Sequence, residues 1–365
     1  LLNKLTFANL AHRPVRTALS ILAIAVEVTM ILTLVGVSNG TLHESARRAR
    51  GTGADIFFRP PGTSVLSSLS SSPMSDKLPA ILANEPHVVL ATGTIVQPLE
   101  LFDSITGFDM DQFAKMSGGF RFVQGGLPVQ DTDLIVDEPY AREKHLQVGS
   151  TLNLISHQWR VSGIYLPGKA ARICVKLAVL QDFTGNPHRL SQIYLKIDDP
   201  DRAQAVVDAL RAKYPGYQIY TMEYFTSMLS VNNLGLLRNF TYVVIGIAMI
   251  VGFIVVFMAM YTAVLERTRE IGILKAVGSS SGLILSMLMR ETLLLAILGT
   301  VLGILLTYFT QWLMLHVVPN SLVQETVYAW WPIAAGVAIV GALIGAIIPG
   351  IKAVRQDATE ALSYE

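Results

Sequence analysis

The chain has 365 residues, of which 52% are apolar and only 15% charged, against about 25% charged in an ordinary soluble domain. Its 28 Lys and Arg nearly cancel 27 Asp and Glu, leaving a formal net charge of +1, which excludes a disordered polyelectrolyte and offers no basic excess for nucleic acid. Cys174 is the single cysteine, which excludes an intrachain disulfide framework and a Cys-based zinc site.

The apolar residues gather in four stretches: Ala18–Val37, Phe240–Leu265, Leu283–Leu315 and Ile333–Val354. A membrane helix needs roughly 20 mostly apolar residues, and these runs predict four. The first carries Glu27 at its centre. An acidic residue there costs roughly 2.5–3.5 kcal/mol, which a dozen Leu, Ile, Val and Met residues offset at about 0.3–0.6 each. Its apolar run exceeds the usual 7–15 residues of a signal peptide and no A-x-A site follows, so it is read as a retained helix.

Basic residues near span ends set orientation. Outside the long segment between spans 1 and 2 they are Lys4, Arg13, Arg16, Arg267, Arg269, Lys275, Arg290, Lys352 and Arg355, and the turn His316–Trp331 has none. Both termini and the 266–282 turn are therefore expected on the cytoplasmic side and 42–238 outside. Arg47, Arg48, Arg50 and Arg238 lie on the outer side in this reading, against the trend. Tyr328, Trp330 and Trp331 suit an outer aromatic belt.

Over 42–238 the charges balance and the pattern is that of a folded mixed α/β domain. Strands are predicted at Asp55–Arg59, Asp133–Val136, Thr151–Ile155, Trp159–Tyr165, Ile193–Ile197 and Gln218–Thr221. Thr63–Ser75 is Ser-rich and predicted to be a loop. Asp198-Asp199-Pro200 offers a cap and a first-turn proline for a helix over about 201–213. The predicted division is 1–41, 42–238 and 239–365.

The sequence carries no recognisable catalytic or metal motif. Pro167-Gly168-Lys169-Ala170 lacks the spacing and hydroxyl of a Walker A loop, the seven His are scattered, and no G-x-S-x-G is present. Asp109/Asp111 and Asp131/Asp133 are read as solvated turn residues. Glu27 carries more interest, because an ionisable residue in a span usually faces the bundle interior and has a partner. Arg290 and Glu291, two turns into span 3, are read as an interfacial pair with Arg290 snorkelling. Gly299/Gly303 and Gly341/Gly345 form G-x-x-x-G spacings that allow close helix approach.

The most informative string follows span 2: Glu266-Arg267-Thr268-Arg269-Glu270-Ile271-Gly272-Ile273-Leu274-Lys275-Ala276-Val277-Gly278-Ser279-Ser280. It predicts a short charged helix, about 266–279, with Ile271 and Leu274 on one face, Gly278 ending it and Ser279–Ser281 capping span 3. The string resembles the E-R-x-R-E-I-G-x-x-K-A-x-G-A-S signature of FtsX-like and MacB-like permease subunits of ABC transporters, the type VII, mechanotransmission family, with Ser279 where Ala is usual. Pro14–Leu19 resembles the family's R-T-x-L start of span 1, and Ala358–Leu362 its P-x-E-A-L tail. Val148–Leu152 with Trp159–Tyr165 resembles the V-G-D-x-L…V-x-G-I strands. Glu27 stands where many members have a small or apolar residue.

The resemblance implies a dimer, homodimeric or with a paralogous permease, each protomer bound to a separate ATP-binding subunit that holds ATP and magnesium. This chain would itself bind no cofactor and carry no catalytic residue. Arg267, Arg269, Glu270, Ile271, Gly272, Leu274, Lys275 and Gly278 would form the helix that couples to the ATPase. ATP-driven closure would then be transmitted to a periplasmic domain. The implied setting is the bacterial inner membrane, with efflux of a lipid, lipoprotein, peptide or drug, and with a periplasmic adaptor and outer-membrane channel among the expected partners. The other function within the resemblance is an FtsX-type regulator that activates a cell-wall hydrolase without transport.

Overall fold

A computed structural model describes residues 14–61, 74–99, 103–229, 235–316 and 323–355. Lys4, Arg13, most of the Ser-rich segment and the Ala358–Leu362 motif lie outside the described residues. The chain divides into two compact units. One comprises Leu1–Gly40, Gly235–Val318 and Gln324–Glu365, the other Thr41–Leu234 and Pro319–Val323.

Helix α1 is unbroken from Pro14 to Arg50. Proline suits its first turn, where no intrahelical N–H bond is lost. Gly51 ends it with its N–H on the Arg47 carbonyl at 2.9 Å. Its α-carbon lies against the Gly168 backbone, with no room for a β-carbon.

The inserted domain is built on one large sheet. Its strands are β1 (Ile56–Arg59), β3 (Val88–Pro98), β4 (Ser104–Phe108), β5 (Phe122–Gly125), β6 (Asp133–Asp137), β7 (Thr151–Leu154), β8 (His157–Tyr165), β9 (Ile173–Lys176), β11 (Gln192–Ile197) and β12 (Gln218–Thr221), while β2 (Met74–Ser75) pairs with β10 (Arg189–Leu190) in a small second sheet. The order is β12-β1-β11-β3-β4-β9-β6-β8-β5, with β7 on β8. Pairing is antiparallel except for β4–β9 and β6–β8. The helices are α2 (Leu78–Leu82), α3 (Met110–Ser117), α4 (Glu138–Glu143), α5 (Leu177–Phe183), α6 (Ala203–Lys213) and α7 (Met222–Met228).

Both faces of the sheet are covered, and the strands read accordingly. In β1, Ile56 and Phe58 enter a core with Val207 and Leu210 of α6, while Phe57 enters another with Phe108 and Tyr194. All four β1 residues are buried, as alternation between two covered faces requires. The predicted strand–helix–strand unit is present as β11–α6–β12, with β1 inserted between the two strands and antiparallel to both. Asp199 caps the turn before α6 through the Asp201 N–H, as the sequence indicates.

Of the carboxylates read as solvated turn residues, Asp109, Asp111 and Asp131 are exposed, and Asp133 needs correction. Asp109 caps α3 by accepting from the N–H groups of Asp111 and Gln112. Asp133 is 1% exposed and accepts from Arg160 Nε at 2.9 Å and from the Val129 and Gln130 amides. These bonds hold its carboxyl below the usual carboxylate range although burial opposes them. Asp137, at the β6–α4 junction, is the opposite case. Burial pushes its carboxyl up to about 6, only partly countered by the Tyr140 amide and by Arg172 and Arg48.

In the other unit, α8 (Gly235–Glu266), α10 (Ser281–His316) and α11 (Trp331–Arg355) flank a short α9 (Thr268–Ala276). Among the described residues, four helices are long and apolar enough to cross a membrane: α1, α8, α10 and α11. Apolar side chains such as Ile247, Ile254, Leu305 and Phe309 point outward, as lipid-facing helices require. Helix α11 packs through small residues four apart, Ala334, Ala338, Ala342, Ala346 and Gly350, all buried.

Asp137 generates a pH prediction. Its carboxyl is protonated more readily folded than unfolded, so its contribution to stability is complete below about 3.8 and is lost as pH rises through about 6. Asp137→Asn, which can keep the cap, should gain stability relative to the parent between pH 4.5 and 7.5, on the order of 2–3 kcal/mol in full. Thermal unfolding of both proteins across that range checks it; a difference independent of pH contradicts it.

Candidate functional site

The short helix α9 has two unlike sides. Thr268, Ile271 and Gly272 are buried. Arg269 and Glu270 are exposed, with Ile273 at 48%, Leu274 at 37% and Val277 at 83%. Ile271 and Leu274 therefore do not share a solvent face. Three residues turn a helix by about 300°, and the boundary between its sides falls between these two. Lys275 donates from Nζ to the Val354 carbonyl of α11 at 2.6 Å. The helix closes with Gly278 at φ +96°, the Gly278 N–H on Lys275 O and the Ser279 N–H on Leu274 O, both at 2.9 Å. That is a Schellman closure, which glycine adopts without strain. The Leu283 N–H then reaches Ser280 Oγ at 3.4 Å at the start of α10.

Behind α9 lies a buried ionic node. Glu291 of α10 is wholly buried, its Oε2 accepting from Arg267 Nη1 at 3.0 Å and its Oε1 from Arg16 Nη2 at 3.3 Å. Arg16 also reaches Glu266 Oε2 with Nη1 at 3.4 Å. The first turn of α1, the α8–α9 junction and α10 thus meet on one carboxylate. Two sequence expectations change here. Glu291 does not pair with Arg290, which is exposed, because adjacent residues on a helix point in different directions. Arg267 is 6% exposed and turned inward, so its side chain is not on the outward face of α9. Arg16, Ile273 and Val277 were not singled out from sequence for this site. Of these, the exposure of Val277 could have been read from its place at the helix end beside Gly278.

Glu27 is 5% exposed and its Oε1 has no hydrogen-bond partner among the described residues. The expected partner is not found there. Its carboxylate fills the space over Gly252 of α8, where a β-carbon would collide with it. Gly299 and Gly303 of α10 meet α1: a β-carbon at either would come within 2.7 Å of Ile24, or of Ala25 O and Val28. A β-carbon at Gly345 would be equally tight, 2.8 Å from the Phe253 carbonyl, whereas one at Gly341 would have ordinary room, 3.6 Å from Met249. Among the described residues no three His, Cys, Asp or Glu gather as a metal site.

Removing Glu291 leaves two guanidinium groups facing a buried gap. Breaking one side of a buried ion pair costs about 3–5 kcal/mol. Glu291→Ala should therefore lower stability by about that much, and Glu291→Gln by less, since one acceptor oxygen remains. Denaturant unfolding in detergent micelles measures both; an Ala variant within about 0.5 kcal/mol of the parent contradicts the node.

The family model for a MacB-like periplasmic core domain matches residues 17–213, and that for the FtsX-like permease C-terminal region matches 242–358. The macrolide export ATP-binding/permease protein MacB of Escherichia coli is 23% identical over 97% of this chain and 59% of its own length. The uncharacterized ABC transporter permease YknZ of Bacillus subtilis is 34% identical over 33% of this chain and 30% of its own length. The chain thus spans less than two thirds of these curated relatives. Among solved structures, the periplasmic region of MacB from Actinobacillus actinomycetemcomitans is similar over 49% of this chain and 93% of that one, at 14% identity and a TM-score of 0.38. With four membrane helices, a mixed α/β domain inserted after the first, and both family models matched in order, the chain belongs to the MacB-like, FtsX-like family of ABC transporter permeases.

Proposed function

We propose that this chain is the permease subunit of an ATP-driven exporter or extractor, and that it works by mechanotransmission. An ATP-binding subunit, holding ATP and magnesium, docks on the exposed face of α9. Its closure moves α9, and the Arg267–Glu291–Arg16 node carries the displacement to α1. The inserted domain lies outside the cytoplasm and changes shape in response. Both termini and α9 face the cytoplasm, and the chain acts as a dimer in a bacterial inner membrane, with an adaptor and outer-membrane channel as further partners. Its cargo is a lipid, lipoprotein, peptide or drug. MacB of Escherichia coli is named as a macrolide exporter, which supports export over a purely regulatory role.

The single observation that carries the reading is α9 itself. It is a capped nine-residue helix between two spans, with apolar Ile273, Leu274 and Val277 outward and its inner side held by buried ionic contacts. Apolar side chains left outward on a polar connecting helix mark a protein contact.

Ile273→Asp with Val277→Asp should reduce the ATP-binding subunit retained on the purified permease at least tenfold, with the unfolding midpoint unchanged because both side chains are exposed. Retention equal to the parent's would overturn the assignment of this face.

A further inference from the structure

The inserted domain contains a cavity of about 200 Å³ framed by the last turns of α1, by α4 and by the segment between β8 and β9. Its wall carries four guanidinium groups, Arg47, Arg48, Arg142 and Arg172, and only two carboxyls, Glu44 and Asp137. Glu44 is shared, being bonded by Arg47 and 3.8 Å from Arg48. The Arg48 and Arg172 side chains are 16% and 8% exposed, and the carboxylate pair of Arg172, with Asp103, is 3.4 Å long. Arg47 and Arg142 stand at the mouth, 66% and 70% exposed. Pro139 and Pro167 add an apolar lip.

Two desolvated guanidinium groups at the back and two exposed ones at the mouth, Arg47 bonded to Glu44 and Arg142 to Glu138 at 2.8 Å, make a fork-shaped donor set for oxygen anions, since Arg recognises carboxylate and phosphate with paired donors. The cavity is below the about 300–1,000 Å³ of pockets that enclose a drug-sized ligand. It has room for a charged head and leaves the remainder of a molecule outside, against the proline lip.

We propose that this arginine-lined cavity is a binding site for the anionic phosphate group of an amphiphilic ligand, with Arg48 and Arg172 as its floor and Arg47 and Arg142 as its gate. The site stands whether or not α9 meets an ATP-binding subunit, so the two readings can fail separately.

The test is calorimetric titration of the full chain in maltoside micelles with three probes: dihexanoyl phosphatidylglycerol, dihexanoyl phosphatidylcholine and inorganic phosphate. Saturable binding of the phosphatidylglycerol is expected, with the phosphatidylcholine at least tenfold weaker because its own cation opposes the arginines. The variant Arg47→Gln with Arg142→Gln alters only exposed side chains and should weaken phosphatidylglycerol binding at least tenfold with an unchanged unfolding midpoint. Competition by inorganic phosphate would identify a free anion as sufficient; failure to compete would identify a lipid head group, and either supports the site. No saturable phosphatidylglycerol binding, equal binding of the two lipids, or equal binding by parent and variant would overturn it.

Discussion

One buried carboxylate organises the membrane unit. Glu291 is wholly enclosed and holds Arg267 at 3.0 Å and Arg16 at 3.3 Å. A charge at membrane depth is costly unless paired, and this one is satisfied only while three segments keep their places. Arg16 lies in the first turn of α1, Arg267 at the junction of α8 and α9, and Glu291 within α10. Moving any one breaks at least one of the two ion pairs on Glu291. Gly299 and Gly303 tighten the same arrangement, since α10 and α1 approach there too closely for side chains. Attraction at the node and the absence of bulk along the seam therefore act together, which is why we read α9 and the start of α1 as one mechanical body.

Glu27 makes the contrast instructive. It too is a buried carboxylate in a span, yet its Oε1 finds no partner among the described residues and it is accommodated by the missing side chain of Gly252. The bundle thus holds one acidic group through charge and another through space. Only the first links separate segments of chain by ionic bonds. Helix α1, which starts at the node, continues without a break to Arg50, and its final turns supply Arg47 and Arg48 to the inserted domain.

Much of the fold was legible because its periods were clean. Four apolar runs gave four helices, and β1, β6, β7, β8, β11 and β12 follow strand-length apolar or alternating runs. The longest strand, β3, escaped because its sequence VVLATGTIVQP has no alternation: residues 92–96 are all buried, and Gly93 leaves its side-chain space to Leu190. Strand β9, ICVK, is buried between two cores, Ile173 and Val175 in one and Cys174 in the other. At the site, the position and closure of α9 could be read from Gly278 and the serines after it. The node could not. Arg16 and Glu291 are 275 residues apart, and from sequence Arg267 looks like one more cytoplasmic charge. Burial of a charge is set by tertiary packing, which local pattern does not encode. Asp133 was misjudged for the same reason, since Arg160, 27 residues away, is what makes its burial tolerable.

The most direct test of the central claim is a distance measurement. Spin labels at Val15 and Ala276, both exposed, would report on the start of α1 and the end of α9 by pulsed electron resonance, and buried Cys174 would not take up label. In the assembled complex, with and without ATP and magnesium, the Val15–Ala276 distance should stay constant while Glu291 is intact and should change with nucleotide in Glu291→Gln. A nucleotide-dependent change with the node intact would contradict the account.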